Sequence, residues 1–200
     1  MGAVPASASG QAEQLLPVVF HVATSSQGRP VVSGEFLTAQ LVRANAIFAP
    51  YGVRFVETGR RSLASAHAAL ENRADRDVLG RYARRGAIDC FVVASLRDVD
   101  EPERMRRGVH WRSRSHRGAH FVILSAIAGQ DVLAHELGHY LGNPEHAEGP
   151  DNLMSYGRTR PDPILDDSQL ARMKAAITRY LRRGELRLQK QPAAEAAATD

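Results

Sequence analysis

Three continuous apolar runs and one alternating segment predict four β-strands. Leu16–Ala23 and Ile88–Leu96 are rich in β-branched residues and are bounded by turn-forming residues, which is typical of buried strands. His120–Ala126 has the same pattern. Val53–Thr58 instead alternates apolar and polar residues, so this strand is expected to bury only one of its faces.

Helical spacing is found in the segments between and after these strands. Apolar residues recur at helical intervals over Phe36–Phe48, and Ser33 precedes them as a candidate N-cap. Residues 62–85 are rich in alanine and arginine and predict one helix or two shorter ones. Asp167–Arg183 carries an apolar face and predicts a final helix. The polar, arginine-rich stretch 97–119 is expected to be a loop.

The order of these segments predicts a mixed α/β domain with a small helical second lobe. We expect the folded domain to cover residues 15–184, with an N-terminal lobe at 15–146 and a C-terminal lobe at 147–184. Residues 1–14 are expected to form a flexible leader and residues 185–200 a flexible tail, because both segments have little apolar surface to bury.

Composition narrows the class of protein further. The 200 residues include one cysteine, Cys90, which excludes an internal disulfide framework and is expected to be a small core residue. No apolar run is long enough to span a bilayer, and the first 14 residues lack the basic start and apolar stretch of a signal peptide. The net charge of +4 permits an anionic partner without indicating one. The high alanine and arginine content suggests a bacterial, GC-rich source.

The segment LAHELGHYLGNPEH, residues 133–146, carries the strongest chemical signal. His135 and His139 are four residues apart, so on a helix they project from one face and can share a metal ion. Zinc suits neutral imidazole ligands, and three protein ligands leave one position open for catalysis. Glu136 lies beside the same face, where its carboxylate can accept a proton from a water molecule that the metal polarises.

The residues after the second histidine predict a chain reversal that supplies a third ligand. Gly142 suits the left-handed turn that ends a helix, and Pro144 cannot continue one. The returning chain then offers either Glu145 or His146 to the metal. We favour His146, because a neutral imidazole keeps zinc a stronger Lewis acid than a carboxylate does.

This pattern resembles the metzincin clan of zinc metallopeptidases, whose signature HExxHxxGxxH is followed by a turn that contains methionine. The residues on matching positions are His135, Glu136, His139, Gly142 and Met154. The resemblance implies a mixed twisted sheet with two long helices in the N-terminal lobe and a small helical C-terminal lobe. It also implies one catalytic Zn²⁺ ion, a general base and acid at Glu136, and an apolar floor under the metal at Met154.

Two details of the resemblance concern single residues. Tyr156 follows the methionine by two positions, as in serralysins and astacins, where that tyrosine ligates zinc or stabilises the oxyanion. The clan's third ligand position falls on Glu145, one residue before His146, so the choice between them stays open here. The clan also pairs an edge strand with an extended peptide, a role expected of His120–Ser125 unless it is an ordinary buried strand.

The sequence therefore predicts a zinc-dependent endopeptidase that acts on protein or peptide substrates. It is expected to be a monomer without a specific nucleic-acid partner, and secreted rather than cytoplasmic, because no latency device is visible. The alternative is a non-catalytic zinc-containing protein that binds nucleic acid or an anionic partner through the six arginines of Arg104–Arg117. The acidic run Asp98–Glu103 either forms an exposed turn or binds Ca²⁺.

Overall fold

The described residues form a mixed α/β domain. The structure, a computed structural model, describes residues 13–157 and 161–190. In these ranges the strands are β1 (Gln14–Ala23), β2 (Val53–Leu63), β3 (Ala69–Leu70), β4 (Ile88–Val93), β5 (Ser95–Leu96), β6 (Gly108–Arg112) and β7 (His120–Ser125). The helices are α1 (Gly34–Phe48), α2 (Arg73–Val78), α3 (Val132–Tyr140) and α4 (Asp167–Arg182).

The central sheet has five strands in the order β2-β1-β4-β7-β6. The first four strands are parallel, and β6 alone runs antiparallel, against β7. Parallel strands need crossover connections, and α1 supplies the one between β1 and β2. A separate two-stranded parallel ladder joins β3 to β5. The predicted mixed α/β fold class is confirmed.

The sheet is covered on both faces. One face packs against α1, α3 and α4, and buried residues from all three helices join one core with the sheet, among them Phe48, Leu137 and Met173. The opposite face carries a smaller apolar cluster that includes Phe91 and Phe121. Because both faces are buried, the interior strands read as continuous apolar runs rather than alternating ones.

The edge strand of the sheet is not the one that was predicted. His120–Ser125 is β7, which lies between β4 and β6 with all six residues buried, so it is not an edge strand. The edge strand is β6, inside the stretch 97–119 that was expected to be a loop. An edge strand is only half-buried, so the sequence of β6, GVHWR, contains polar and charged residues. A search for continuous apolar runs therefore does not detect it.

The predicted helix at 62–85 is also wrong for most of its length. Strand β2 continues to Leu63, and α2 spans only six residues before a 3₁₀ turn. A capping box between Asn72 and Asp75 starts α2 there. Leu70 and Leu79 are both fully buried on the second sheet face, which one continuous helix would not allow. Tertiary burial has overridden the helix propensity of alanine.

The ends of the domain partly differ from the predicted boundaries. Leu186 is 1% exposed, and the N–H group of Gln189 donates to the Leu15 carbonyl at 2.9 Å, so the start of the segment 185–200 packs on the domain. Residues 1–12 of the expected leader and 191–200 of the expected tail lie outside the described residues. No described helix combines the length and apolar character that a membrane crossing requires.

Helix α1 anchors the first turn of α3. Asp131 at the start of α3 makes no capping side-chain bond. Buried Gln40 of α1 does this instead, because its Oε1 accepts from the Leu133 N–H at 3.1 Å and its Nε2 donates to the Gly129 carbonyl at 2.8 Å. Arg43, one turn further along α1, forms an ion pair with Asp131 at 2.6 Å. The position of α3 thus depends on polar contacts from a distant helix.

We expect Gln40→Ala to lower the free energy of unfolding by about 1–3 kcal/mol, because the buried Leu133 N–H loses its acceptor and the Gly129 carbonyl loses its donor. Chemical denaturation of the variant and the wild type measures this. Gln27→Ala, in an exposed turn, is the matched control and should change stability little. Equal stabilities of the two variants would contradict the capping role of Gln40.

A half-buried histidine of β6 and a buried histidine of β7 link the two strands. Nε2 of His110 lies 3.1 Å from Nδ1 of His120, and the His120 ring stacks on Tyr140 with 4.2 Å between centroids. Burial, together with the charges of Arg112 and Arg179, lowers the pKa of His120 to about 4. Burial also lowers the pKa of His110 well below its ordinary value. Both rings are therefore neutral at neutral pH.

We expect these histidines to make the fold less stable in mild acid. The unfolded chain has a histidine pKa near 6.5, so between pH 6.5 and about 4 the unfolded state binds more protons and stability falls as pH falls. For His120 alone the loss between pH 7 and pH 5 is about 2 kcal/mol. Denaturation of wild type and His120→Gln at both pH values measures it; an identical pH dependence would contradict the assignment.

Candidate metal centre

Helix α3 presents His135 and His139 with their rings already oriented. Nδ1 of His135 lies 2.8 Å from the Leu153 carbonyl, and Nδ1 of His139 lies 2.7 Å from the Asn143 carbonyl. A carbonyl oxygen only accepts, so each Nδ1 carries the proton and donates it. The lone pair of each ring is therefore on Nε2, which is the arrangement of a metal-ligating histidine held by a second hydrogen bond.

The returning chain brings His146 to the same point. Its Nε2 lies 3.2 Å from Nε2 of His139, and one ligand atom from each of the three histidines falls within 4.8 Å of the others. Two nitrogens on one tetrahedral zinc ion, with bonds of about 2.0–2.1 Å, stand about 3.3–3.4 Å apart. The His139–His146 separation therefore fits a shared zinc ion, and the His135 ligand atom lies within 4.8 Å of both.

The reversal after α3 follows the predicted glycine turn. Gly142 has φ of 97°, and a Cβ atom there would lie 3.1 Å from Cβ of Ala176 and 3.3 Å from the Arg172 carbonyl of α4. Glycine is therefore required both for the turn and for the close approach of α4. The candidate metal group among the described residues includes His146, whereas Glu145 is exposed and outside it.

Two of these histidines are held in the neutral form that binds metals. Burial lowers the pKa of His139 to about 4, although the bond to the Asn143 carbonyl acts in the opposite direction. Burial, followed by the nearby charge of Arg106, lowers the pKa of His146. At neutral pH neither ring has to lose a proton before it accepts a cation.

A tight turn at 152–155 supports the histidines from below. Met154 is fully buried, and a Cβ atom on Gly138 would lie 2.5 Å from its sulfur, so the methionine packs directly on α3 between the two histidines. The Asn152 side chain accepts from the Met154 N–H at 2.8 Å and exchanges two hydrogen bonds with Gln169 of α4. The same turn supplies the Leu153 carbonyl that orients His135.

Glu136 and the start of β6 approach each other closely. Glu136 is 6% exposed and lines the same cleft as the three histidines. A Cβ atom on Gly108 would lie 2.5 Å from Cγ1 of Val132 and 3.1 Å from the Glu136 carboxylate. The edge strand can run this close to the carboxylate only because residue 108 has no side chain.

Tyr156 lies over the histidine cluster from the solvent side. Its ring stacks on His146 with 4.0 Å between centroids and is 5.9 Å from the ring of His135. The side chain is 69% exposed, and its hydroxyl lies 3.5 Å from a guanidinium nitrogen of Arg106. The structure thus brings this predicted site residue next to the cluster, with a cation beside its oxygen.

The cleft that holds these residues has a volume of about 600 Å³ and runs along the open edge of β6. The carbonyl of Arg107 accepts from Ser125 and the N–H of Ser113 donates to Ala119 across the β6–β7 ladder. Backbone groups alternate along an antiparallel strand, so those of Gly108, His110 and Arg112 face outward. Sequence reasoning missed this backbone edge and the Asn143 carbonyl. For the edge, a glycine ahead of an alternating polar segment was the available signal.

The other candidate features have structural roles. Cys90 is a fully buried residue of β4, as predicted, and burial raises the pKa of its thiol. The Asp98 carboxylate accepts from the backbone N–H groups of Asp100 and Glu101 and pairs with Arg106, so its oxygens stabilise the predicted acidic turn. Within the basic segment Arg104–Arg117, the residues of β6 form sheet structure rather than a free loop.

Comparison with known proteins adds the fold and nothing finer. No protein-family model and no curated protein matches this chain. The crystal structure of metalloproteinase-II from Bacteroides fragilis matches with a TM-score of 0.53 and 14% identity, over 84% of this chain and 55% of that one. Archaemetzincin from Methanopyrus kandleri matches with a TM-score of 0.50 and 13% identity, over 86% and 99%. The chain therefore has a fold that metallopeptidases use.

We expect His146→Ala to weaken the binding of Zn²⁺ by more than about 100-fold, because loss of even an outer-shell partner of a ligand costs 10–100-fold. Competition with a chromogenic chelator measures the affinity. Glu145→Ala is the matched neighbour and should leave the affinity nearly unchanged. The reverse order of the two variants would assign the third ligand to Glu145.

Proposed function

We propose that this protein is a zinc-dependent endopeptidase of the metzincin type. The observation that carries the proposal is the convergence of three imidazole ligand atoms within 4.8 Å of one another in a cleft that also contains the buried carboxylate of Glu136. A purely structural zinc site has four protein ligands, whereas three leave a position open for a reacting group. The HExxHxxG pattern, Met154 and Tyr156 support the same proposal.

His135, His139 and His146 would hold the zinc ion. Hydrogen bonds to the Leu153 and Asn143 carbonyls orient His135 and His139, and lowered pKa values keep His139 and His146 neutral. Bound zinc supplies a Lewis acid that polarises a carbonyl and lowers the pKa of water. The ligand group found among the described residues consists of imidazole nitrogens, which suit zinc, whereas magnesium and calcium prefer oxygen ligands.

The outward backbone groups of β6 would bind the substrate. An extended peptide can add to this edge as a further strand and form main-chain hydrogen bonds to Gly108 and His110. Since Gly108 adjoins Glu136, a peptide on this edge would run directly past the carboxylate. Such pairing recognises backbone, so it suits an enzyme that cleaves within a chain.

Glu136 would carry the proton. Its carboxylate oxygen accepts the proton of the attacking water and then donates it to the nitrogen of the leaving amine, so that one residue serves as general base and general acid. Tyr156 would donate a hydrogen bond from its hydroxyl to the developing oxyanion. The Arg106 guanidinium, 3.5 Å from that hydroxyl, favours negative charge at this end of the cleft.

We expect Glu136→Gln to retain zinc binding but to lose at least about 1000-fold in peptide hydrolysis, since the amide can hold no proton from water. Cleavage of quenched fluorescent peptides, with zinc content measured on the same sample, checks both parts. Glu145→Gln, an exposed neighbour, is the control and should remain active. Turnover by Glu136→Gln at the wild-type rate would refute the assignment of the base.

A further inference from the structure

A second group of residues lines the cleft on the other side of β6. Side chains alternate along the strand, so His110 faces Tyr140 of α3, whereas Trp111 packs with the second apolar cluster on the opposite face. The Trp111 indole N–H donates to Asp77 at 2.7 Å, which fixes the ring. The guanidinium carbon of Arg76 lies 4.9 Å from the centre of that ring.

Arg76 is a buried cation whose hydrogen bonding is incomplete. The residue is 3% exposed, and its Nε atom is buried without a hydrogen-bond partner. Another guanidinium nitrogen donates to the Arg97 carbonyl. Among the described residues no carboxylate forms an ion pair with Arg76. A buried charge without a paired carboxylate is costly, and burial lowers the pKa of this guanidinium, although Asp98 and Asp100 act in the opposite direction.

The acidic residues nearby are already engaged. Asp98 pairs with Arg106 and accepts two backbone N–H bonds, and Asp100 pairs with Arg73. Arg104 and Arg107 also line this part of the cleft. Arg104 pairs with Glu101, so among the described residues Arg76 and Arg107 are the arginines of this surface without an ion pair, and they leave positive charge that a negatively charged ligand would neutralise.

The geometry of strand addition brings one set of substrate side chains to this surface. A peptide paired with the β6 edge directs alternate side chains to opposite faces of the sheet. Those opposite His110 point toward the metal side, and those on the other face point toward Trp111 and Arg76. In such a peptide, the side chain next to one that faces the metal side would therefore point toward the buried guanidinium of Arg76.

We propose that Arg76, held against Trp111, selects a carboxylate in the bound peptide: an aspartate or glutamate side chain, or the free carboxyl terminus. This inference rests on the proposed function, because it assigns the substrate class of the same cleft. Because Nε is shielded from the cleft, a carboxylate would accept from the terminal guanidinium nitrogens of Arg76, in the bidentate geometry that arginine favours. Arg76 is in this account a specificity-determining residue and takes no part in the chemistry.

The test measures binding rather than turnover, so that it does not depend on hydrolysis. Zinc-loaded Glu136→Gln protein is titrated with tryptophan-free peptides, blocked at both ends, that carry one glutamate or one glutamine at successive positions. Trp111 is the only tryptophan in the chain, so its fluorescence reports ligands at this subsite. A glutamine peptide with a free carboxyl terminus forms a separate arm that distinguishes a terminal carboxylate from a side chain.

We expect a peptide carboxylate, in one of the two arms, to strengthen binding by about tenfold or more over its neutral counterpart and to change the fluorescence of Trp111. Added Arg76→Met should reduce this preference to less than about threefold. Arg60→Met, on the far edge strand β2 in an exposed ion pair with Glu57, is the matched control and should retain the preference.

Equal binding of charged and neutral peptides in both arms would overturn the proposal, as would a preference that survives Arg76→Met. If Arg76→Met does not fold, the comparison of peptides on protein with Arg76 intact still decides, because it changes no residue of the subsite. The wild-type protein, with Glu136 present, is tested for peptide hydrolysis in parallel. If it hydrolyses no peptide while the carboxylate preference is found, the proposed endopeptidase activity is refuted and the proposed subsite is not.

Discussion

The candidate site depends on the position of one short helix. Helix α3 has nine residues and is held from three directions: Gln40 caps its first turn, Gly108 lets the edge strand approach, and the Leu153 carbonyl orients His135. An isolated helix of this length is unstable in water, so its geometry comes from tertiary contacts. Groups far apart in the chain thereby fix the directions of the imidazoles, and the site exists only in the complete fold.

The same contacts link the metal cluster to stability. The tight turn that carries Met154 is bonded to α4 through Asn152 and Gln169, and α4 packs against Gly142 at the reversal. A change in α4 would therefore shift the third histidine as well as the core. Binding of a metal would in turn stabilise the folded state, since the unfolded chain does not keep the three ligands together. The affinity for a metal and the free energy of unfolding would therefore be thermodynamically linked.

Local sequence patterns were sufficient to predict an element wherever a single residue type or a single hydrophobic period determines its conformation. The interior strands, α1 with its Ser33 cap, the two-histidine spacing and the left-handed Gly142 all follow from short stretches of sequence. The edge strand β6 and the segment 62–85 did not, because their conformation depends on partners distant in the chain: β7 pairs with β6, and the second apolar cluster takes up Leu70 and Leu79. The roles of the Asn143 carbonyl and of Gln40 could not be predicted for the same reason. A backbone acceptor and a cap from a distant helix have no sequence motif.

The two outer strands of the sheet have a common property. Strand β2 carries three arginines, two of which pair with Glu13 and Glu57, and β6 ends at Arg112, so each margin of the sheet keeps an arginine outside those ion pairs. Like charges repel when two copies approach margin to margin, which disfavours the polymerisation that exposed strands otherwise invite. The open edge of β6 is therefore disfavoured as a pairing site for a second copy of this protein, whereas a peptide of opposite charge would meet no such repulsion.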